Sequence, residues 1–189
     1  MDGLTRAPRS NYPHSLEEHM TGQELRDLQA PLKQQYTDRP DSARVTLTAQ
    51  ARLGQGITCK VETGQALVEA GLHPATGGDG LSACSGDMLL EALAACAGVT
   101  LGAVATSIGV TLRDATIRAE GDLDFRGTLA VAKDAPVGFS SIRLSFAIDS
   151  DAEPEQLATL LKLTERYCVV YQTLSGSPDL SVSSTREPR

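Results

Sequence analysis

The chain has 189 residues, 41% of them hydrophobic, and a formal net charge of −7 at pH 7. This length suits one domain that is large enough to bury a core. The negative charge argues against nucleic acid or an anionic membrane surface as a partner, so we expect neither.

The four cysteines form no Cys-x-x-Cys motif and no zinc-ligand spacing: Cys59, Cys84, Cys96 and Cys168. With only three histidines in the chain, we expect no metal site, and no motif calls for an organic cofactor. The first residues lack the basic and apolar pattern of a secretion signal. Free thiols in such a chain are typical of the cytoplasm, where we expect this protein to work.

Residues 1–41 are predicted to form an N-terminal arm with short helices, and residues 42–189 the main domain. Capping boxes begin at Ser15 and Thr21, and the second opens a helix that Pro31 should interrupt or restart. Two interpretations of this arm remain open. It covers a site or a subunit interface, or it is a solvated appendage.

The hydrophobic period changes to two after the arm, which is typical of strands with one buried face. The alternation runs over residues 43–53 and again over residues 57–62, with a glycine-containing turn between them, so it predicts a hairpin. A third short strand is expected at residues 66–70. Cys59 occupies one of the alternating apolar positions of the hairpin, and we interpret it as an inert core thiol.

A long apolar helix is predicted from Ser85, a good N-cap residue, to Gly109, a good stop. It is apolar nearly all round, so we expect burial on most sides. A transmembrane span and a structural helix with an inert Cys96 are the alternatives. Gly98 and Gly102 form a small-residue stripe that favours close helix crossing, with the same helix of a second subunit as one partner.

The remaining pattern predicts a strand over residues 112–125, a possible short strand at 129–131, and a strand over 142–148. A helix from Pro154 should carry Cys168 on its apolar face, and residues 180–182 should form a final strand. The order of elements predicts an α+β domain with helices against an antiparallel sheet. Cys84, just before the long helix, is either an auxiliary thiol or structural.

Two segments resemble the OsmC/Ohr family of osmotically inducible and organic hydroperoxide resistance proteins. They are SGDMLLEALAAC, ending at Cys96, and YCVVYQTLSGSP, containing Cys168. The resemblance covers roughly residues 43–185. It implies an intertwined homodimer in which an antiparallel sheet packs on a buried central helix. It also implies an active site at each subunit interface.

The same resemblance implies reduction of organic hydroperoxides, with a dithiol donor that is a lipoylated or thioredoxin-like protein. Cys96 matches the peroxidatic cysteine and Cys168 the resolving one. Asp87 lies at or within one position of the family's helix-start glutamate. The family's hairpin arginine is assigned to Arg52, with Arg44 in reserve.

Two positions depart from the family pattern, because Gly86 and Val169 stand where proline is common. Asp87 also precedes Cys96 by nine residues, which is about 13 Å of rise and roughly half a turn on one helix. Asp87 therefore serves the site of the other subunit, or it is only a first-turn charge. Glu91 is the alternative carboxylate.

These observations predict a thiol-dependent peroxidase that cycles through a sulfenic acid and a disulfide. The alternative is a non-catalytic module of the same fold that binds small molecules or senses redox state. A purely structural dimer is a third possibility.

Overall fold

The computed structural model describes residues 21–39, 50–53, 58–62, 67–130 and 132–186. The first half contains α1 (Gly22–Asp38), β1 (Gln50–Leu53), β2 (Thr58–Glu62), β3 (Leu67–Gly71), β4 (Ala83–Cys84) and α2 (Ser85–Ile108). The second half contains β5 (Asp114–Leu123), α3 (Phe125–Thr128), β6 (Phe139–Asp149), α4 (Pro154–Tyr167) and α5 (Val169–Ser175). The architecture is α+β, as the sequence predicts.

The first sheet has four strands in the order β1-β2-β3-β4. β1 and β2 form the predicted antiparallel hairpin, in which Leu53 pairs with Cys59 and Gln50 with Glu62. β3 is the expected third strand and pairs antiparallel with β2, whereas the two-residue β4 runs parallel to β3. The part of the first strand predicted at residues 43–49 lies outside the described residues.

The N-cap of helix α2 lies one residue before the predicted N-cap. Cys84, and not Ser85, is the N-cap residue, and its side chain makes no capping hydrogen bond. The helix ends as predicted at Gly109, which adopts a left-handed φ of 74° and donates its N–H to the Ala105 carbonyl. The 24 residues of α2 form the longest helix in the described part of the chain.

One stripe of α2 is buried, and it consists of Leu93, Ala97, Leu101 and Ala105. These residues pack with β5, β6, α4 and α5 in two apolar clusters. The opposite side is open to solvent and includes Ala95, Gly102 and Val99, whose side chain is 76% exposed. The expectation of burial on most sides is therefore wrong for the single chain, because its sheet and helices cover only one side of α2.

By length and composition, α2 is the one described helix that could cross a membrane, and a core helix of a soluble protein meets the same criteria. Gly98 lies on its packed side, where an added Cβ would come 3.5 Å from the Ile117 side chain of β5. A Cβ added at Gly102 would have no neighbouring atom within 4 Å. The two glycines of the predicted stripe therefore have different environments.

The second sheet is the antiparallel pair β5 and β6. Apolar side chains of both strands, including Ile117 and Phe146, face the helices. The outward side chains form exposed ion pairs, such as Arg143 with Asp122 and Arg118 with Glu120. The predicted strand ends at Leu123, because Asp124 caps a short helix, α3, that the periodicity did not indicate.

The predicted C-terminal helix is interrupted at Cys168. The sequence pattern had placed this residue on the apolar face of one unbroken helix. Cys168 is at once the C-cap of α4 and the N-cap of α5, with an extended backbone (φ −72°, ψ 107°). The predicted final strand is absent from the described residues. Leu180 and Val182 lie in a segment without secondary structure, 90% and 99% exposed, with no strand partner in the described part of the chain.

Helix α1 starts at the predicted capping box, in which Thr21 and Glu24 exchange hydrogen bonds. Pro31 lies inside the helix and does not end it. Gly22 approaches α2 closely, since an added Cβ would lie 3.0 Å from the Thr106 carbonyl oxygen. The other predicted capping box, at Ser15, lies outside the described residues.

Candidate active site around Cys96 and Cys168

The two cysteines of the sequence motifs lie in one apolar cluster. Cys96 is half-buried in the middle of α2, and Cys168 is fully buried at the junction of α4 and α5. Their surroundings are Leu93, Ala97, Ile117, Ala119, Ile142, Leu144, Phe146, Val170 and Tyr171. Both thiols are free and belong to the same cluster.

The surroundings of Cys96 favour its ionised form. Burial alone would raise the pKa of this thiol, but hydrogen bonds outweigh it and hold the pKa below its ordinary value. The donors are the backbone N–H groups of Val170 and Val169, the thiol of Cys168 and the hydroxyl of Thr100. Because the thiolate is the nucleophilic form of cysteine, the lowered pKa makes Cys96 more reactive than an ordinary thiol.

The pKa of Cys168 is shifted in the opposite direction. Burial raises the pKa of this thiol, and the neighbouring Cys96 raises it further, because a second negative charge beside a thiolate is unfavourable. Cys168 therefore holds its proton more firmly than Cys96 does. Two identical side chains in contact are thus chemically distinct.

An apolar cavity of about 560 Å³ adjoins this cluster. It lies between the first half of α2, β6 and α5, and it shares Leu93, Ile142, Leu144 and Tyr171 with the surroundings of the thiols. Ser140, Ser141 and Ser175 supply the polar part of its lining. The cavity can accept an apolar group of a molecule whose reactive end points to the cysteines.

Asp87 is not brought together with Cys96. It lines a different cavity, of about 370 Å³, which includes Cys84 and His73 at the start of α2. Its exposed carboxylate is nine residues from Cys96 on one helix, so about 13 Å of rise separates them. Glu91 is exposed as well.

The side chains of the two predicted arginines lie outside the part of the chain that the structure describes. Arg52 lies in β1 opposite Lys60, and its side chain is outside the described part of the structure. Arg44 lies outside the described residues altogether. In the part of the chain that the structure describes, no three His, Cys, Asp or Glu side chains form a group that could hold a metal ion.

The donors to Cys96 were not predicted from the sequence. Thr100 follows Cys96 by four residues on α2, a spacing that places both on one helical face and could have indicated the contact. The N–H groups of Val169 and Val170, which lower the pKa of Cys96, follow directly after the chain break at Cys168. No local pattern indicates that break.

Comparisons with known proteins identify the fold and the family of the chain. The family model described as OsmC-like protein matches residues 77–183, more than half of the chain. No curated protein matches. Among solved structures, an OsmC-like protein from Mycoplasma pneumoniae superposes with a TM-score of 0.60 at 18% identity, covering 70% of this chain and 89% of that chain.

Two similar structures are named organic hydroperoxide resistance proteins. The one from Legionella pneumophila has a TM-score of 0.56 at 18% identity, over 71% of this chain and 92% of that one. The one from Elizabethkingia anophelis has a TM-score of 0.57 at 18% identity, over 71% and 91%. Identities this low show a common fold, and the family model adds a sequence match. The chain is a member of the OsmC-like family.

Proposed function

We propose that this protein is a thiol-dependent peroxidase that reduces organic hydroperoxides. The observation that carries the proposal is the thiol pair itself, because Cys96 and Cys168 lie in one apolar cluster, where the pKa of Cys96 is lowered and that of Cys168 is raised. Similar structures named organic hydroperoxide resistance proteins support the same chemistry.

The first step is attack of the Cys96 thiolate on the terminal oxygen of the hydroperoxide. A sulfur–oxygen bond forms and the O–O bond breaks, which leaves Cys96 as a sulfenic acid. The alkoxide that departs takes up a proton and becomes the alcohol. Sulfur loses two electrons, and the peroxide gains them.

The second step is condensation of the Cys168 thiol with the sulfenic acid. The two sulfurs join in a disulfide, and the hydroxyl of the sulfenic acid leaves as water with the thiol proton. An external dithiol then reduces the bridge by thiol–disulfide exchange and is itself oxidised to a disulfide. We propose a lipoylated or a thioredoxin-like protein as that donor, and the cytoplasm as the compartment that keeps it reduced.

The preferred substrates are alkyl or lipid hydroperoxides. An alkyl group in the apolar cavity beside Leu93 and Tyr171 gains binding energy from the removal of its surface from water. Hydrogen peroxide has no such group, so we expect it to react more slowly.

The functional unit of this proposal is a homodimer. The exposed side of α2, with Ala95, Val99 and Gly102, is the surface on which a second copy of the helix would pack. In such a dimer, Asp87 and Arg52 of one subunit would serve the thiols of the other. A carboxylate can hold an arginine in a forked pair, and the arginine can then stabilise a thiolate.

The test is a turnover assay with purified protein. It compares an alkyl hydroperoxide, a fatty acid hydroperoxide and hydrogen peroxide, each with lipoyl and thioredoxin-type donors. We expect dithiol-dependent consumption of the organic hydroperoxides and little consumption of hydrogen peroxide. Cys84→Ser is the matched control and should turn over like the wild type, because Cys84 lies outside the thiol cluster.

The absence of any turnover, with no oxidation of either thiol, would contradict the peroxidase proposal. It would favour the alternative, a module that binds an apolar ligand in the cavity without reaction. Oxidation of the pair without a donor that restores it would favour a redox sensor.

A further inference from the structure

The cavity beside the thiols has an uncharged lining. In the part of the chain that the structure describes, its walls are apolar side chains of α2, β6 and α5, together with three serines and Tyr171. Leu89 and Leu174, each 37% exposed, extend the apolar lining to the solvent. A ligand that enters the cavity therefore meets no charged side chain among the described residues.

The serine hydroxyls of this lining already donate their protons within the protein. Ser140 donates to the Asp122 carbonyl at 3.1 Å, and Ser141 to the Asp122 carboxylate at 2.6 Å. Ser175 donates to the Tyr171 carbonyl at 2.8 Å. A hydroxyl has one proton to donate, whereas its oxygen can accept further hydrogen bonds. The three serines can thus accept a hydrogen bond from a ligand, but they have no proton left for an anion.

The cation that contacts this lining is already paired. Arg143 donates to the Ser141 hydroxyl at 3.0 Å, and its guanidinium also forms a forked ion pair with the Asp122 carboxylate. Such a pair satisfies both charges and leaves little attraction for a further anion. The phenol of Tyr171 remains as a neutral donor, and one neutral hydrogen bond compensates a buried carboxylate only in part.

We infer that the cavity selects organic hydroperoxides whose group within it is uncharged, such as alkyl and aryl hydroperoxides. The inference rests on the proposed function, in which the peroxide oxygens meet Cys96 while the organic group enters the cavity. An apolar group gains free energy from its removal from water. A carboxylate would lose its hydration without a cation to replace it. A fatty acid hydroperoxide fits this rule when its methyl end, and not its carboxylate, enters the cavity.

The test compares two hydroperoxides that differ in charge only at the end remote from the O–O bond. They are the para-carboxylate of cumene hydroperoxide and the methyl ester of that carboxylate. We expect kcat/KM for the ester to exceed that for the carboxylate by about tenfold or more, because only the carboxylate loses hydration without compensation. Equal values, or a preference for the carboxylate, would overturn the inference.

A cation placed in the lining should remove this selectivity. Ser175→Lys adds one at an exposed position of α5, and Thr173→Lys is the matched control. Thr173 is exposed on the same helix but lines a different groove, beside Arg166 and Tyr167. The ratio of kcat/KM for carboxylate and ester should rise about tenfold in Ser175→Lys and stay unchanged in Thr173→Lys. No rise in Ser175→Lys would overturn the inference. An equal rise in both variants would do so too, because it would assign the selectivity to the net charge of the protein.

A binding measurement separates this inference from the peroxidase proposal. The alcohols that correspond to the two probes have no O–O bond, so their binding requires no thiol chemistry. Isothermal titration calorimetry should show that the ester alcohol binds about tenfold more tightly than the carboxylate alcohol. That preference in a protein without turnover would sustain the inference while the peroxidase proposal failed. Equal affinities, or binding of neither alcohol to a protein without turnover, would overturn it.

Discussion

At the scale of single residues, the chemistry of this protein depends on the unequal environments of two cysteines. Cys96 accepts hydrogen bonds from backbone and side-chain donors, whereas Cys168 is fully buried beside it. Hydrogen bonds to a thiolate favour ionisation, and burial opposes it. The proposed division into an attacking thiol and a resolving thiol rests on this difference.

Substitution of each thiol should stop the proposed cycle at a different point. Cys96→Ser should abolish reaction with an organic hydroperoxide, because a serine hydroxyl at neutral pH is a poor nucleophile. Cys168→Ser should react once and stop at a sulfenic acid on Cys96, which dimedone traps for mass spectrometry. Full turnover by either variant would contradict the assignment.

The pH dependence of the reaction should follow the lowered pKa of Cys96. A lower pKa means that the thiolate persists to lower pH than in an ordinary thiol, and is lost only as the pH falls through that value. Stopped-flow rates with an alkyl hydroperoxide should therefore stay high below the pH at which a free cysteine peptide loses reactivity. A profile that coincides with that of the peptide would show that the site does not activate Cys96.

The sequence predicts which cysteines pair but not what surrounds them. Cys96 and Cys168 stand in two recognisable segments, and both lie in the same cluster. The donors from Val169 and Val170 could not be predicted, because they depend on a chain break that no local propensity marks. Asp87 and Cys96 lie on the same helix, about 13 Å of rise apart, so the role predicted for Asp87 would require the site of a second subunit.

At the scale of elements, the alternation of apolar residues predicts the hairpin β1–β2 and the strand β6 well, because one face of each strand must be buried. The interruption at Cys168 and the short helix α3 arise from tertiary packing and capping, which periodicity does not report. Residues 180–182 alternate like a strand, yet the described part of the chain provides no partner strand.

Removal of residues 1–40 should leave the thiol site intact. Helix α1 meets α2 at Thr106, about 15 Å of helical rise from Cys96, so we expect residues 21–39, the described part of the arm, to supply no group to the thiols. We expect a folded protein with a lower melting temperature, measured by circular dichroism, and an unchanged rate of Cys96 oxidation. Loss of that reaction in a well-folded truncation would mean that the arm contains a catalytic group.

At the scale of the whole molecule, the exposed stripe of α2 predicts self-association. Gly102 meets nothing within 4 Å in the single chain, so a larger side chain there is sterically tolerated within one subunit. At a close helix crossing, the same change overpacks the interface, which typically costs about 1–3 kcal/mol. Gly102→Leu should therefore weaken or split the dimer without unfolding the chain, as measured by light scattering.

Ala158→Leu, on the exposed side of α4, is the control for this substitution. It adds the same kind of side chain to a helix surface that is not expected to meet a partner. A wild-type protein that stays monomeric at micromolar concentration would refute the dimer. Equal behaviour of the two variants would place the interface elsewhere.

The central claim is that Cys96 and Cys168 form one redox pair, and peptide mapping of the oxidised protein tests it most directly. One equivalent of an organic hydroperoxide should produce a Cys96–Cys168 disulfide within a single chain. A bridge from Cys84 to Cys96 should not form, because twelve residues of helix separate them by about 18 Å, far beyond disulfide reach. A bridge that involves Cys84, or no bridge and no sulfenic acid, would contradict the account.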